Sequence, residues 1–215
     1  PPSHMKYNIK PNRIIPKSTN LRIQWYLTPI NFLKASICLV RFSATSPFAM
    51  LMAVRLSQRS TAGCGNSHWN AEDLGGDNKS EADDIGFVLE LIAQLEGRYN
   101  IDSNRVYIMG YSNGSFFSYY LACSASEYFA GVASVSGTML DDSCTPTHPM
   151  PMINLHGTQD SVVAYDGASV YPGVDSVMSF WVGFNQTETE PTLEPLMDGS
   201  RAVEHYVYAA GEVGV

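Results

Sequence analysis

From about Trp69 onward, stretches of helical period alternate with short apolar runs. Within residues 82–99, Ile85, Val88, Leu89, Ile92 and Leu95 recur at spacings of three and four. That period puts them on one stripe of a helix. Asp83 and Asp84 stand in its first turn, where the helix dipole favours negative charge, and Arg98 and Asn100 mark its end. Arg105–Met109 reads as a strand closed by Gly110, and a second helix is expected from Gly114 to about Ser124. Gly131–Val135 reads as a strand followed by a Ser136-Gly137 turn. Met152–His156, introduced by Pro149 and Pro151, reads as another strand. Asp175–Phe184 suits a helix with Val177, Phe180, Trp181 and Phe184 on one face, and Val203–Tyr208 a last strand. Such alternation predicts an α/β fold, a mostly parallel sheet with helices on both faces.

Residues 1–68 lack this rhythm and are assigned no element, which leaves 69–215 as the α/β domain. The apolar stretch 30–56 is interrupted by Lys34, Arg41 and Arg55, so no membrane span is expected. It also lacks the layout of a secretory signal. Ser3-His4-Met5 reads as a cloning remnant ahead of a start methionine.

Composition narrows the function. Hydrophobic residues make up 45% of 215 positions, enough for one sizeable core. Thirteen basic against 21 acidic side chains give a formal charge of -8. That balance argues against a nucleic-acid partner, which needs a basic surface, and favours a neutral substrate. Cys38, Cys64, Cys123 and Cys144 form no C-x-x-C pair, and no two histidines have metal-ligand spacing. No metal or cofactor is expected. Cys38 and Cys64 read as small buried apolar residues. Cys123 and Cys144 flank one segment and could bridge it or be buried apart.

The chemistry centres on Gly110-Tyr111-Ser112-Asn113-Gly114. Alone, a G-x-S-x-G pentapeptide is weak, since chance supplies one in roughly fifteen chains of this length. Its position between an expected strand and an expected helix adds weight, because a nucleophile elbow needs both. Ser112 would sit on a strained turn that tolerates only glycine two residues to either side. The turn would place the Asn113 backbone N–H at a helix N-terminus, where it can stabilise an oxyanion. The alternative is an ordinary serine in a glycine-rich turn.

A nucleophilic serine needs a base, and the base an orienting carboxylate. Asp160, in the loop Gly157-Thr158-Gln159-Asp160 after an expected strand, fits the acid; otherwise it caps its loop. His205 is the only histidine after Asp160 and thus the candidate base. It lies inside an expected strand, which favours a surface-facing side chain. His156 precedes the acid and fits a role in shaping the acid loop, while His4, His68 and His148 are misplaced for a base. Asn185-Gln186-Thr187 fits a glycosylation sequon.

Residues 69–215 resemble the polyhydroxybutyrate-depolymerase-like and feruloyl-esterase-like branch of the α/β-hydrolases. The resemblance rests on Asn66–Asn70, Asp83–Phe87, Tyr99–Tyr107, Gly110–Gly114, Leu155–Asp160 and Ala164–Gly167, in that order. It implies Ser112 as nucleophile, Asp160 as acid and a Cys123–Cys144 disulfide, which suits a secreted or periplasmic protein. It also implies a serine carboxylic-ester hydrolase acting on feruloyl or acetyl polysaccharide esters or on polyhydroxyalkanoate esters. Two features of that family have no counterpart here. Its histidine loop, Gly-Gly-His with an aromatic, would follow Val215, and no His-Gly occurs in 1–68. The fold is therefore expected to be incomplete at both ends, as in a truncated and partly rearranged gene product. The competing expectation is a catalytically impaired module that binds carbohydrate or polyester; a peptidase of the same fold is a third.

Overall fold

A computed structural model describes residues 36–40, 48–54, 69–71, 82–140, 144–198, 201–209 and 211. Its main sheet has five strands in the order β1-β2-β3-β4-β5. They are β1 Ser36–Val40, β2 Phe48–Val54, β3 Ile101–Tyr111, β4 Gly131–Val135 and β5 Met152–Leu155. β1 runs antiparallel to β2, and the other three pairings are parallel. Both β1 and β2 fall in the stretch to which the sequence assigns no element. The reason is physical: Ile-Cys-Leu-Val, after Ser36, and Phe-Ala-Met-Leu-Met-Ala-Val are unbroken apolar runs. Such runs have no alternation for a period-two reading to detect.

Helix α1, Asp84–Glu96, precedes β3, and α2, Asn113–Ser124, links β3 to β4. Asp83 caps α1 by accepting from the Gly86 N–H at 2.7 Å. Asp84 stands in the first turn as expected and is buried there, its Oδ2 accepting from the Asn70 N–H at 2.9 Å. Val88, Leu91, Ile92 and Leu95 of α1 join Val106 and Ile108 of β3, Val132 of β4 and Met152 of β5 in one buried core. Phe117, Tyr119 and Leu121 of α2 complete it, and Trp69 stacks on Phe117 with ring centres 4.9 Å apart. The opposite face of the sheet is less covered. There Met109, Ala133 and Ile153 align in one row and Tyr111, Val135 and Leu155 in the next. Tyr111, Ile153 and Leu155 of these rows are exposed.

After β5 come two short antiparallel strands, β6 Gly167–Ala168 and β7 Tyr171–Pro172, then α3, Val174–Phe184. The expected last strand forms, as β9 Arg201–Val207, but not in the parallel sheet. It pairs antiparallel with β8, Thr192–Asp198, a strand the sequence analysis did not anticipate. Pro195 and two acidic residues inside β8 hide it, since proline and charge both read against strand. A hairpin partner close by in sequence wins over a distant parallel edge. The Cys123–Cys144 disulfide forms, with Cα atoms 4.9 Å apart.

Asn185 is not a glycosylation acceptor in this fold. It is fully buried, its Nδ2 donates to the Met150 carbonyl at 2.8 Å, and its Oδ1 accepts from the Met150 N–H at 2.9 Å. The side chain thereby mimics a strand partner for the segment that leads into β5. Replacing it leaves two buried backbone groups unpaired. Asn185→Ala is expected to lower stability by about 2–3 kcal/mol, read as a fall in the urea midpoint at unchanged slope.

Candidate active site

The bend between β3 and α2 is built by steric exclusion. Ser112 has φ 54° and ψ −125°, a conformation that L-residues avoid. A Cβ on Gly110 would run into the backbone carbonyl of Gly114, so the helix start can approach the strand only where residue 110 has no side chain. A Cβ on Gly137 would collide with the Ser115 side chain. The turn after β4 therefore also passes close against the helix start. The Ser112 N–H donates to the Val135 carbonyl at 2.9 Å, and the Ser112 carbonyl accepts from Ser115 and Phe116 at 2.8 and 3.2 Å. These bonds turn the backbone so that Ser112 is partly exposed at the carboxyl end of the sheet.

Asn113 begins α2, so its N–H has no carbonyl one turn earlier to bond. Its side chain has a second role that sequence reasoning missed. Oδ1 accepts from the Trp69 N–H at 2.7 Å, and Nδ2 donates to the Trp69 carbonyl at 3.2 Å. This latch spans 44 positions, and no local pattern announces it. Below the bend lies a buried polar chain. Ser115 and Ser134 share a hydroxyl contact of 2.6 Å, and Asn154 Nδ2 donates to Tyr119 Oη at 2.9 Å and to Ser134 Oγ at 3.3 Å.

Asp160 stands in the loop after β5, one strand beyond β4. Tyr111, Val135 and Leu155 are aligned across the sheet, so the ends of β3 and β5 lie about 10 Å apart, two strand spacings. Asp160 Oδ1 accepts from the Val162 and Val163 N–H groups at 2.9 and 3.0 Å. The Val163 and Val162 bonds hold its carboxyl below the usual carboxylate range, against a smaller opposing effect of burial. The Ser136 hydroxyl and His156 add to the lowering. Ser136 is a turn residue with φ 48° whose N–H donates to the Leu155 carbonyl at 2.9 Å. The 135–136 peptide thus ties the Ser112 backbone on one side to the end of the acid strand on the other.

The structure does not bring a described imidazole to Ser112. His205 lies on β9 with Nδ1 3.2 Å from Glu194 Oε2, and both side chains are about half exposed. His148 contacts the Thr147 hydroxyl and the Phe129 carbonyl. His156 donates from Nε2 to the Val163 carbonyl at 2.7 Å. His4 and His68 lie outside the described residues. Among the described residues no cluster of three or more histidine, cysteine or acidic side chains could hold a metal ion, and no helix is long and apolar enough to cross a membrane.

The lowered pKa of Asp160 has a thermodynamic consequence. Its folded value lies below its unfolded value, so the ionised form stabilises the fold above the unfolded pKa. That contribution is lost as pH falls through the folded pKa. Asp160→Ala is expected to lower the melting temperature at pH 7, with the gap to the native sequence narrowing at pH 3; thermal melts at both values check it.

Residues 67–172 match the family model described as Phospholipase/Carboxylesterase. The chain is 32% identical over 107 residues to a putative esterase, NocK, of Nocardia uniformis subsp. tsuyamanensis, covering 48% of this chain and 31% of that protein. It is 31% identical over 93 residues to feruloyl esterase B of Piromyces equi, covering 41% of this chain and 17% of that one. A bifunctional acetylxylan esterase/xylanase, XynS20E, of Neocallimastix patriciarum is 34% identical over 82 residues, 38% of this chain and 12% of that one. The chain thus spans less than a third of the length of each of these relatives. A solved thermostable esterase aligns with a TM-score of 0.40 at 27% identity, over 46% of this chain and 26% of that one. In the family match, in these relatives and in its parallel sheet with helices, the chain is similar to esterases of the α/β-hydrolase fold.

Proposed function

We propose that the chain is a serine carboxylic-ester hydrolase, or the part of one that carries its nucleophile and acid. The observation that carries this reading is Ser112 on a positive-φ bend between β3 and α2, at the same sheet end as Asp160. Ser112 Oγ attacks the ester carbonyl as its proton passes to a base, and the carbonyl π-electrons move to oxygen. The Asn113 N–H donates to that oxyanion, in a place where the helix start adds a fixed positive field. Collapse of the tetrahedral species expels the alcohol, which takes the proton. Water then repeats the attack, releasing the acid and restoring the hydroxyl. Asp160, ionised well below neutral pH, orients the base through its Oδ2, since Oδ1 already accepts two backbone bonds.

The relatives named feruloyl esterase and acetylxylan esterase support feruloyl or acetyl esters of plant polysaccharide as the substrate class. Polyhydroxyalkanoate esters follow from the sequence resemblance alone. The Cys123–Cys144 disulfide supports a secreted or periplasmic protein.

A second reading has its own observation. The described imidazoles His148, His156 and His205 each contact a group other than Ser112. This favours a catalytically impaired module that binds carbohydrate or polyester. Hydrolysis of p-nitrophenyl acetate by the native sequence and by Ser112→Ala separates the two. The esterase reading expects a rate about a hundredfold or more above Ser112→Ala, together with fluorophosphonate labelling at Ser112. Equal rates without labelling would leave the binding module, to be measured as retention on insoluble xylan or polyhydroxybutyrate.

A further inference from the structure

His156 follows β5 directly, and its side chain is 1% exposed, too enclosed to exchange protons with a substrate. Its Nε2 lies 2.7 Å from the Val163 carbonyl oxygen. A carbonyl only accepts, so the hydrogen sits on Nε2. Nδ1 is buried and has no hydrogen-bond partner among the described residues. The ring packs edge-on against Tyr165, centres 5.9 Å apart, and the Tyr165 hydroxyl donates to Asp175 Oδ1 on α3 at 2.7 Å. The imidazole is thus held in one place by packing, with one nitrogen committed.

That commitment bears on the acid loop. Val163, itself buried, is gripped at both backbone groups. Its carbonyl accepts from His156, and its N–H donates to Asp160 Oδ1 at 3.0 Å. Asp160 Oδ2 lies 3.8 Å from His156 Nε2, beyond a hydrogen bond. We propose that His156 is a positioning residue: by fixing the Val163 carbonyl it sets the backbone N–H groups that hold Asp160 Oδ1 and leave Oδ2 for the base. The inference rests on the reading of Asp160 as the acid that serves Ser112. It explains why a histidine with a buried side chain, rather than an apolar residue, follows β5: no hydrocarbon side chain could pair with that carbonyl.

Nitrogen-15 NMR and amide hydrogen exchange on the folded chain test it without needing activity. In the native sequence the His156 ring should show its proton on Nε2 and a bare Nδ1. His156→Leu keeps the bulk and loses the donor, and should speed Val163 amide exchange about tenfold. The same variant should raise the Asp160 carboxyl pKa toward the ordinary carboxylate value. His156→Gln retains a donor at similar reach and should restore both readings most of the way. A proton found on Nδ1, or a folded His156→Leu with native Val163 exchange and native Asp160 titration, would overturn the proposal. If His156→Leu does not fold, His156→Gln decides, and loss of Val163 protection in it counts against the clamp. Fluorophosphonate labelling of Ser112 is run in parallel. Native ring and exchange behaviour without labelling would leave the clamp standing and remove the esterase reading instead.

Discussion

The tight approach of β3, α2 and β4 around residue 112 governs the rest of the molecule. Two glycines matter there for want of a side chain: Gly110 against the Gly114 backbone, and Gly137 against Ser115. Their absence of bulk lets the helix start at the strand end without a connecting loop. The cost is a serine with positive φ, about 1–3 kcal/mol of backbone strain. Bonds from Ser112 to Val135, Ser115 and Phe116 hold it there.

A second layer makes that strained bend durable. Ser115, Ser134, Asn154 and Tyr119 form a polar chain inside an otherwise apolar core, joining α2 to β4 and β5. Burial pushes the Tyr119 hydroxyl up to about 12, so it stays protonated across physiological pH. A chain like this stabilises only if its members keep their partners, which makes strand register and helix placement mutually dependent. Asn113 does the same from the outer side, by pairing both backbone groups of Trp69 and bringing its ring onto Phe117. The acid loop is a third case, in which Val163 is held from both sides while Asp160 keeps one oxygen unoccupied by backbone.

These devices share a logic. Backbone groups that secondary structure leaves unpaired are met by side chains from elsewhere: Asn185 for Met150, Asn113 for Trp69, Asp84 for Asn70, His156 for Val163. Each removes a buried unpaired polar group, and each fixes one connection to the sheet. The net charge of -8 plays little part in them, since these contacts are local and directional.

The amino-acid order by itself determined what depends on neighbours a few positions apart. The apolar stripe of 85–95, the acidic first turn at 83–84, the strand before Gly110 and the glycine spacing around Ser112 are legible because helical period and glycine sterics are local. The position of Asp160 after β5 was legible for the same reason. Only the tertiary structure decided which distant groups would meet. Asp84 read only as part of an acidic first turn and is buried, and Asn185 read only as part of a sequon and is a core strut. Residues 203–208 read as a strand of the sheet, yet the strand that forms, 201–207, pairs with 192–198 instead. Strands β1 and β2 were invisible because a uniformly apolar run carries no period. In every such case the outcome turns on which face loses its water and which carbonyl lacks a donor, and neither is written in sequence spacing.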